Sequence, residues 1–402
     1  MRVLMIHSET TWRGGENQLA LLMRGLRDAG VGVVLAAPRR AAIARAAGEL
    51  GVPHVPLAIR GGLDLVAAAR LARHLRREPY DVLHCHSAHA HSTAFLATWR
   101  GRGRAPGRRR PAVVVSRRVD FAVPRCGPAA LKYRHADLFV AISRGVRDVL
   151  LGCGIDPARI VLVPSGIDLE RHRSLRDTAY LRSEFELAPG TTLIGNVAAL
   201  APHKSQSDFI RAAKIVAEQM QPVQFLVVGE GPLRQQLVAL IRDLGVQETV
   251  RLTGFRDDVL EMVSLLDCFV LSSYLEGLGT SIMDAQVLGV PVVATRTGGV
   301  PELVEDGVTG LLVPPRRPEE LARAILRMLR EPGLRERCVQ NARARAAAYD
   351  YRRMVRGTLA AYSDLLGPAA GQAAGAGGGA QATAAADHEV IEWRKRGGPA
   401  GG

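Results

Sequence analysis

The strongest constraint on this chain is a rhythm. Short apolar runs alternate with segments of helical period, and the alternation stops once and then restarts. In the first half the runs fall at residues 3–7, 33–37, 81–84, 113–116, 138–142 and 160–164. Leu19, Leu22, Met23 and Leu26 recur at the spacing of one helix face, and Asp28-Ala29-Gly30 closes that helix. Apolar runs separated by amphipathic helices are the pattern of strands buried on both faces of a parallel sheet. After Ser165-Gly166-Ile167-Asp168 the rhythm breaks, and residues 169–190 are polar and charged. It resumes at 193–197, 225–228, 250–253, 269–272, 291–294 and 311–313, with Phe209, Ala213, Val216 and Met220 on one face of the next helix. Two consecutive doubly wound α/β domains are expected, residues 1–168 and 191–348, joined by a linker at 169–190 and facing each other across a cleft. A length of 402 residues suits two domains. A helix at 349–366 is expected to return to the first domain, and 367–402, rich in Ala, Gly and Gln, reads as a disordered tail.

Composition narrows the function classes. The net charge is +14, almost all of it arginine; the lysines are Lys132, Lys204, Lys214 and Lys395. GC-rich codon usage accounts for such a bias, and an anionic partner would also suit it. The densest cluster runs from Arg100-Gly101-Arg102 to Arg108-Arg109-Arg110, a loop by its Gly and Pro content, which fits peripheral contact with an anionic membrane. Aromatic residues are 4% of the chain and no RNA- or DNA-binding motif is present, so no nucleic-acid partner is expected. Five scattered cysteines without a C-x-x-C pair argue against a disulfide scaffold or a zinc site and fit a reducing cytoplasm. The apolar start, residues 1–7, is too short for a signal peptide, and no run approaches the ~20 residues of a spanning helix. The expected location is the cytoplasm, with peripheral contact at the inner face of the membrane as an option.

The residues able to do chemistry gather at predicted strand ends. Glu276-Gly277-Leu278-Gly279-Thr280-Ser281-Ile282-Met283-Asp284 follows an apolar run and opens a helix. A glycine turn before a helix N-terminus offers free N–H groups to a phosphate, and the two carboxylates can accept hydrogen bonds from sugar hydroxyls. Phosphate plus polyol implies a nucleotide or sugar nucleotide. Trp12-Arg13-Gly14-Gly15-Glu16-Asn17 lies between the first strand and first helix, where paired glycines let the backbone approach a ligand. Ala201-Pro202-His203-Lys204-Ser205 follows the first strand of the second half, and its lysine is a compact point charge where arginine is the default. The turns at Gly229-Glu230-Gly231, at Thr253-Gly254-Phe255 and at Thr297-Gly298-Gly299 have ordinary structural explanations; Phe255 could line a nucleobase pocket. His84, His86, His89 and His91 lack the spacing of a zinc motif; a strand-end loop facing the cleft, with one histidine near an acceptor, is the expectation. Arg117-Arg118-Val119-Asp120 faces the same way, and there is no Walker A loop.

Together these segments resemble a glycosyltransferase of the GT-B fold, in the large retaining family numbered four. The likeness runs from Met1 to about Leu366 and is most specific from Ser272 to Gly310. The resemblance implies two Rossmann-like domains and transfer of a hexose-like sugar from a nucleoside diphosphate to a glycan or lipid-linked acceptor, in cell-envelope polysaccharide or lipopolysaccharide synthesis. It makes Glu276 and Lys204 catalytic candidates; Arg118, at a place where the chain departs from the family, is added as a third because it could reach the donor or acceptor. Donor binding would fall to Gly14, Gly15, Lys204, Gly231, Phe255, Glu276, Leu278, Gly279, Thr280 and Asp284, with His86 and Arg117 on the acceptor side. Glu276 would meet the transferred sugar and Asp284, where the family has glutamate, the ribose. No metal or other cofactor is expected. The chain departs from the pattern at Ala198-Ala199-Leu200, where the family often has an arginine, and at Arg117-Arg118, where many relatives carry a histidine. An epimerase-like enzyme of the same fold and a non-catalytic basic binding protein remain as alternatives.

Overall fold

The computed structural model describes residues 1–99 and 110–367. The Arg100–Arg109 part of the basic cluster and the tail expected at 368–402 lie outside the described residues. Seven strands form the first sheet: β1 (Arg2–Ile6), β2 (Gly32–Ala37), β3 (His54–Pro56), β4 (Val82–Cys85), β5 (Ala112–Arg117), β6 (Leu138–Ala141) and β7 (Ile160–Leu162). Six form the second: β8 (Thr192–Val197), β9 (Val223–Val228), β10 (Val250–Gly254), β11 (Cys268–Leu271), β12 (Val292–Thr295) and β13 (Leu311–Val313). Neighbouring strands are parallel throughout. The strand missed by the periodicity, β3, has three residues, sits at the sheet edge and ends in Pro56. Proline is tolerated there because an edge leaves its missing donor unpaired.

The orders are β3-β2-β1-β4-β5-β6-β7 and β10-β9-β8-β11-β12-β13. In each sheet the order reverses at the first strand, β1 or β8. A crevice opens at the C-terminal edge of such a switch point, because the following helices go to opposite faces. The Gly14-Gly15 loop follows β1 and the Pro202–Lys204 turn follows β8, so topology puts both at a crevice.

Leu19, Leu22, Met23 and Leu26 are all buried on the helix Gly14–Asp28, as their spacing requires. Its other partner is the C-terminal helix Tyr351–Leu366. A Cβ at Gly25 would fall 2.3 Å from Val355 Cγ2, and Tyr362 reaches His84, with its hydroxyl 2.5 Å from Nδ1. The segment 169–190 holds two short helices, Leu169–Arg173 and Ala179–Glu184, each with one buried side chain, His172 and Leu181. One continuous apolar cluster carries Ile142 and Val146 of the first half together with Leu278 and Val300 of the second. The two domains are therefore in contact across part of the cleft, through the loops and helices that follow their strands.

Candidate functional site

The turn after β8 and the turn after β11 are stitched together by backbone. Ser272 Oγ donates to Lys204 O at 3.0 Å, and Tyr274 N donates to His203 O at 2.9 Å. This brings Lys204 Nζ into an ion pair with Glu276 Oε2, which also accepts from Ser273 Oγ at 3.2 Å. Both side chains are largely shielded, 18% and 10% exposed, so the pair is screened less than a surface one. The Thr297-Gly298-Gly299 turn fixes the backbone of Glu276. Gly299 N donates to Glu276 O at 3.1 Å, and a Cβ at Gly298 would lie 1.8 Å from that oxygen. Only glycine fits there, and its φ of +49° adds a second reason. A turn the sequence left as structural therefore seats the candidate carboxylate.

Past Glu276 the chain turns through Gly279, at φ +90°, into the helix Thr280–Leu288. That helix has no side-chain cap, and its N-terminus faces the first domain. A Cβ on Gly14 would sit 3.7 Å from Thr280 Oγ1, and Gly14 itself starts the helix Gly14–Asp28. Two helix N-termini, one from each domain, thus converge beside Lys204, and their dipoles and free amides add to its charge. Leu278, between them, is buried in the apolar cluster and positions the turn by packing.

The glycine loop is pinned from below. Glu16 is 3% exposed; its Oε2 accepts from Arg13 N at 2.8 Å and its Oε1 lies 2.7 Å from His7 Nε2. Arg118 runs beside the loop, its Cδ 3.9 Å from where Gly15 would carry a Cβ. Its carbonyl oxygen would be 2.2 Å from a Cβ on Gly277, so the two domains meet where only glycine fits. Arg118 Nε and Nη1 are buried without a hydrogen-bond partner, and burial pushes the guanidinium down to about 10, opposed by the charge of Glu16. Arg117 points elsewhere, donating from Nη2 to Phe121 O at 2.6 Å. The Phe121 ring is 6.2 Å from that of His203.

The histidine run is not the loop expected of it. His84 lies in β4 and His91 in the helix Ala88–Thr98. His84, His86 and His91 are buried, and only His89 is exposed. His84 bridges Tyr362 OH and Ser116 Oγ, the latter at 2.8 Å, while His86 Nε2 lies 3.2 Å from Met5 Sδ. Burial pushes His84 down to about 3 and holds His86 well below its ordinary 6.5, so both are neutral packing groups near pH 7. His86 retains a buried Nδ1 without a partner, beneath the cleft.

Asp284, expected to face a ribose, already has a protein partner. Its Oδ1 lies 2.9 Å from Nε2 of His172, from the segment between the sheets. His172 Nδ1 is 2.8 Å from Asp168 O, and Asp168 Oδ2 accepts from Arg24 Nη2 at 2.8 Å. Arg24 also donates to Tyr351 OH at 2.8 Å. The chain of contacts joins both domains and the C-terminal helix. Nothing in the local sequence marked His172, a lone histidine in a polar stretch.

Gly231 packs against the loop before Lys204, where a Cβ would lie 2.3 Å from Leu200 O. Phe255 is 50% exposed and lines a cavity of about 560 Å³ with Tyr180, Arg176 and Asp258, between the linker and the second sheet. The expected site residues therefore fall into a central group, around Lys204, Glu276, Thr280, Gly14 and Arg118, and flanking positions at Asp284 and Phe255. Glu16, His7, Gly298 and His172 complete it. Two of these had a legible signal: Glu16, an acidic residue three positions into a glycine-opened helix, and Gly298, in a glycine turn read as structural. Among the described residues no group of three or more His, Cys, Asp or Glu side chains could hold a metal ion.

Comparison with known proteins agrees with the two-domain fold. The family model of glycosyltransferase family 4 matches residues 12–171, and that of glycosyl transferases group 1 matches residues 178–345. The chain is 34% identical over 241 residues to the D-inositol 3-phosphate glycosyltransferase of Actinosynnema mirum, covering 57% of each protein. It is 27% identical over 294 residues to the N-acetyl-alpha-D-glucosaminyl L-malate synthase of Bacillus anthracis, covering 71% of this chain and 74% of that one. The chain thus spans little more than half the length of the first of these relatives. The crystal structure of Anabaena HepE in complex with UDP and glucose superimposes with a TM-score of 0.78 at 22% identity, over 90% of this chain and 100% of that one. WaaG, a glycosyltransferase involved in lipopolysaccharide biosynthesis, gives 0.68 at 16% identity, over 90% and 100%. At these identities the structural likeness is one of fold.

Proposed function

The chain belongs to the group 1 glycosyltransferases of the GT-B fold, and from that premise we propose that it moves a sugar from a nucleoside diphosphate to a glycan or lipid-linked acceptor, with retention of configuration. The observation that carries this reading is the Lys204–Glu276 ion pair, flanked by two helix N-termini from opposite domains. Lys204, the amides at Gly14-Gly15 and the end of the helix at Thr280 form a cradle for a diphosphate, and Glu276 lies beside it to accept hydrogen bonds from sugar hydroxyls. The complex of HepE with UDP and glucose supports a nucleoside diphosphate there.

In the reaction the bond from the anomeric carbon to the diphosphate oxygen breaks, and its electron pair leaves with the phosphate. The acceptor hydroxyl attacks the same face, and its proton passes to the departing phosphate oxygen. Charge builds on the leaving group, where Lys204 and the oriented amides stabilise it without reorganising. Arg118 borders both the glycine loop and the Glu276-Gly277 turn and adds a second cation, in a chain that has Ala199 where relatives often carry an arginine. Contact of the domains keeps water from the anomeric carbon.

The proposed setting is cell-envelope glycan synthesis in the cytoplasm, at the inner face of the membrane. Among the described residues no helix is long and apolar enough to cross a membrane. The names of two relatives specify inositol 3-phosphate and L-malate, so acidic small molecules are within reach of the family. The test is a thermal-shift screen of nucleoside diphosphates and their sugars, followed by release of the diphosphate with and without candidate acceptors. A saturable rise in Tm with at least one of them is expected. No stabilisation by any, or conversion of the donor sugar alone to an epimer, would overturn the reading.

A further inference from the structure

We infer that the acceptor carries an acidic group, a phosphate or a carboxylate, and that this group seats between Arg117 and Lys132 at the C-terminal edge of β5. The inference rests on the transferase reading above and specifies what the first domain holds. Both cations are half-buried, and among the described residues neither has a carboxylate within ion-pair distance. Their hydrogen-bond partners are neutral, and the Asp120 carboxylate acts on Arg117 only from beyond ion-pair distance, opposing the effect of burial in part. Lys132 Nζ donates to Ser92 Oγ at 3.0 Å and to Ala88 O at 3.5 Å; Arg117 Nη2 donates to Phe121 O, and its Nε is buried with no partner.

Burial lowers the pKa of both groups, and Lys132 is lowered further by the charge of Arg117. Two like charges drawn out of water against one another cost free energy that carbonyls and a hydroxyl offset only in part. An anion between them would remove the repulsion and make charge-assisted bonds to both. Lys132 is also one of four lysines in a chain with arginine as its default cation. The place is right for an acceptor. The Phe121 carbonyl that holds Arg117 belongs to the loop whose ring meets His203, next to Lys204.

Two sources of such a group are compatible with the surroundings. A free acidic molecule could enter from the cleft. A lipid-borne phosphate could enter over the loop whose Gly62, if given a Cβ, would touch Ser92 Oγ at 3.7 Å. That loop continues into Leu63, Leu65 and Val66, which are 84%, 65% and 63% exposed.

The experiment titrates the full chain, in the presence of UDP, with glycerol 3-phosphate and with glycerol. In parallel the chain is sedimented with phosphatidylcholine vesicles containing or lacking phosphatidic acid. One acidic probe is expected to bind, and to bind at least tenfold more weakly in Arg117→Gln and in Lys132→Met. Lys214→Met, on an exposed helix surface, is expected to bind it as the unaltered chain does. Unchanged UDP affinity in the two site variants shows that they are folded. Binding of glycerol 3-phosphate assigns a free phosphomonoester; binding of the acidic vesicles alone assigns a lipid-borne one. The inference is overturned if neither acidic probe binds, if glycerol binds equally well, or if both variants retain full binding. Loss of UDP binding with acid binding intact would count against the transferase reading and leave this site standing.

Discussion

His172 Nε2 lies 2.9 Å from Asp284 Oδ1, a hydrogen bond across 112 residues that ties the segment between the two sheets to the helix Thr280–Leu288. Burial works against the charged form of His172, but the hydrogen bond and charge of Asp284 outweigh it, and the pKa is raised above its ordinary 6.5. A raised folded-state pKa means that the stability from this pair is fully present below about 6.5 and fades as the pH rises through the higher folded value. The Tm advantage of the unaltered chain over His172→Gln is therefore expected to shrink above pH 6.5. At pH 6, His172→Ala is expected to cost about 1–3 kcal/mol, as for a buried polar group left without its partner. Chemical denaturation at several pH values checks both; a constant difference across the range would refute the pairing.

Lys204→Ala and Glu276→Ala are each expected to lower transfer at least tenfold, or ~1.4 kcal/mol of transition-state stabilisation. Because the two side chains share one ion pair, the double variant should fall short of the product of the single losses. Turnover with a defined donor measures this, and near-normal rates in both single variants would remove them from the site.

Gly298→Ala is expected to destabilise the protein and to reduce turnover, since its Cβ would collide with Glu276 O. Gly307→Ala is the control. Its φ is +73°, so it carries comparable backbone strain, about 1 kcal/mol, but a Cβ there meets nothing within 4 Å. A larger Tm loss for Gly298→Ala, with activity affected only there, is the expected result.

Tyr362→Phe removes the hydroxyl that bonds buried His84 across 278 residues. A loss of about 1–3 kcal/mol is expected, because the imidazole nitrogen is left unpaired. Urea denaturation would register it as a lower midpoint. An unchanged midpoint would mean that the C-terminal helix is held to the first domain by packing at Gly25 and Val355 and by the Arg24–Tyr351 hydrogen bond, without help from the Tyr362 hydroxyl.

The sequence by itself determined the order of elements, the two parallel sheets and the break between them. These follow from apolar periodicity and turn residues, which act over a few neighbours, and Leu19 to Leu26 on one buried face are an example. It also placed Gly14, Lys204 and Glu276 at strand ends, because each follows an apolar run along the chain. The edge strand His54–Pro56 escaped because it is not an apolar run: Val55 stands between a histidine and a proline, whereas the equally short Ile160–Leu162 and Leu311–Val313 are apolar throughout. Tertiary structure alone decided which of these residues meet. Lys204 and Glu276 pair because two turns 72 residues apart are bonded through Ser272 and Tyr274. His172 reaches Asp284, Arg118 meets Gly277, and Gly298 seats Glu276 only once the domains and turns are docked. Contacts of that kind depend on distances between elements, and the chemistry of neighbours along the chain holds no record of them.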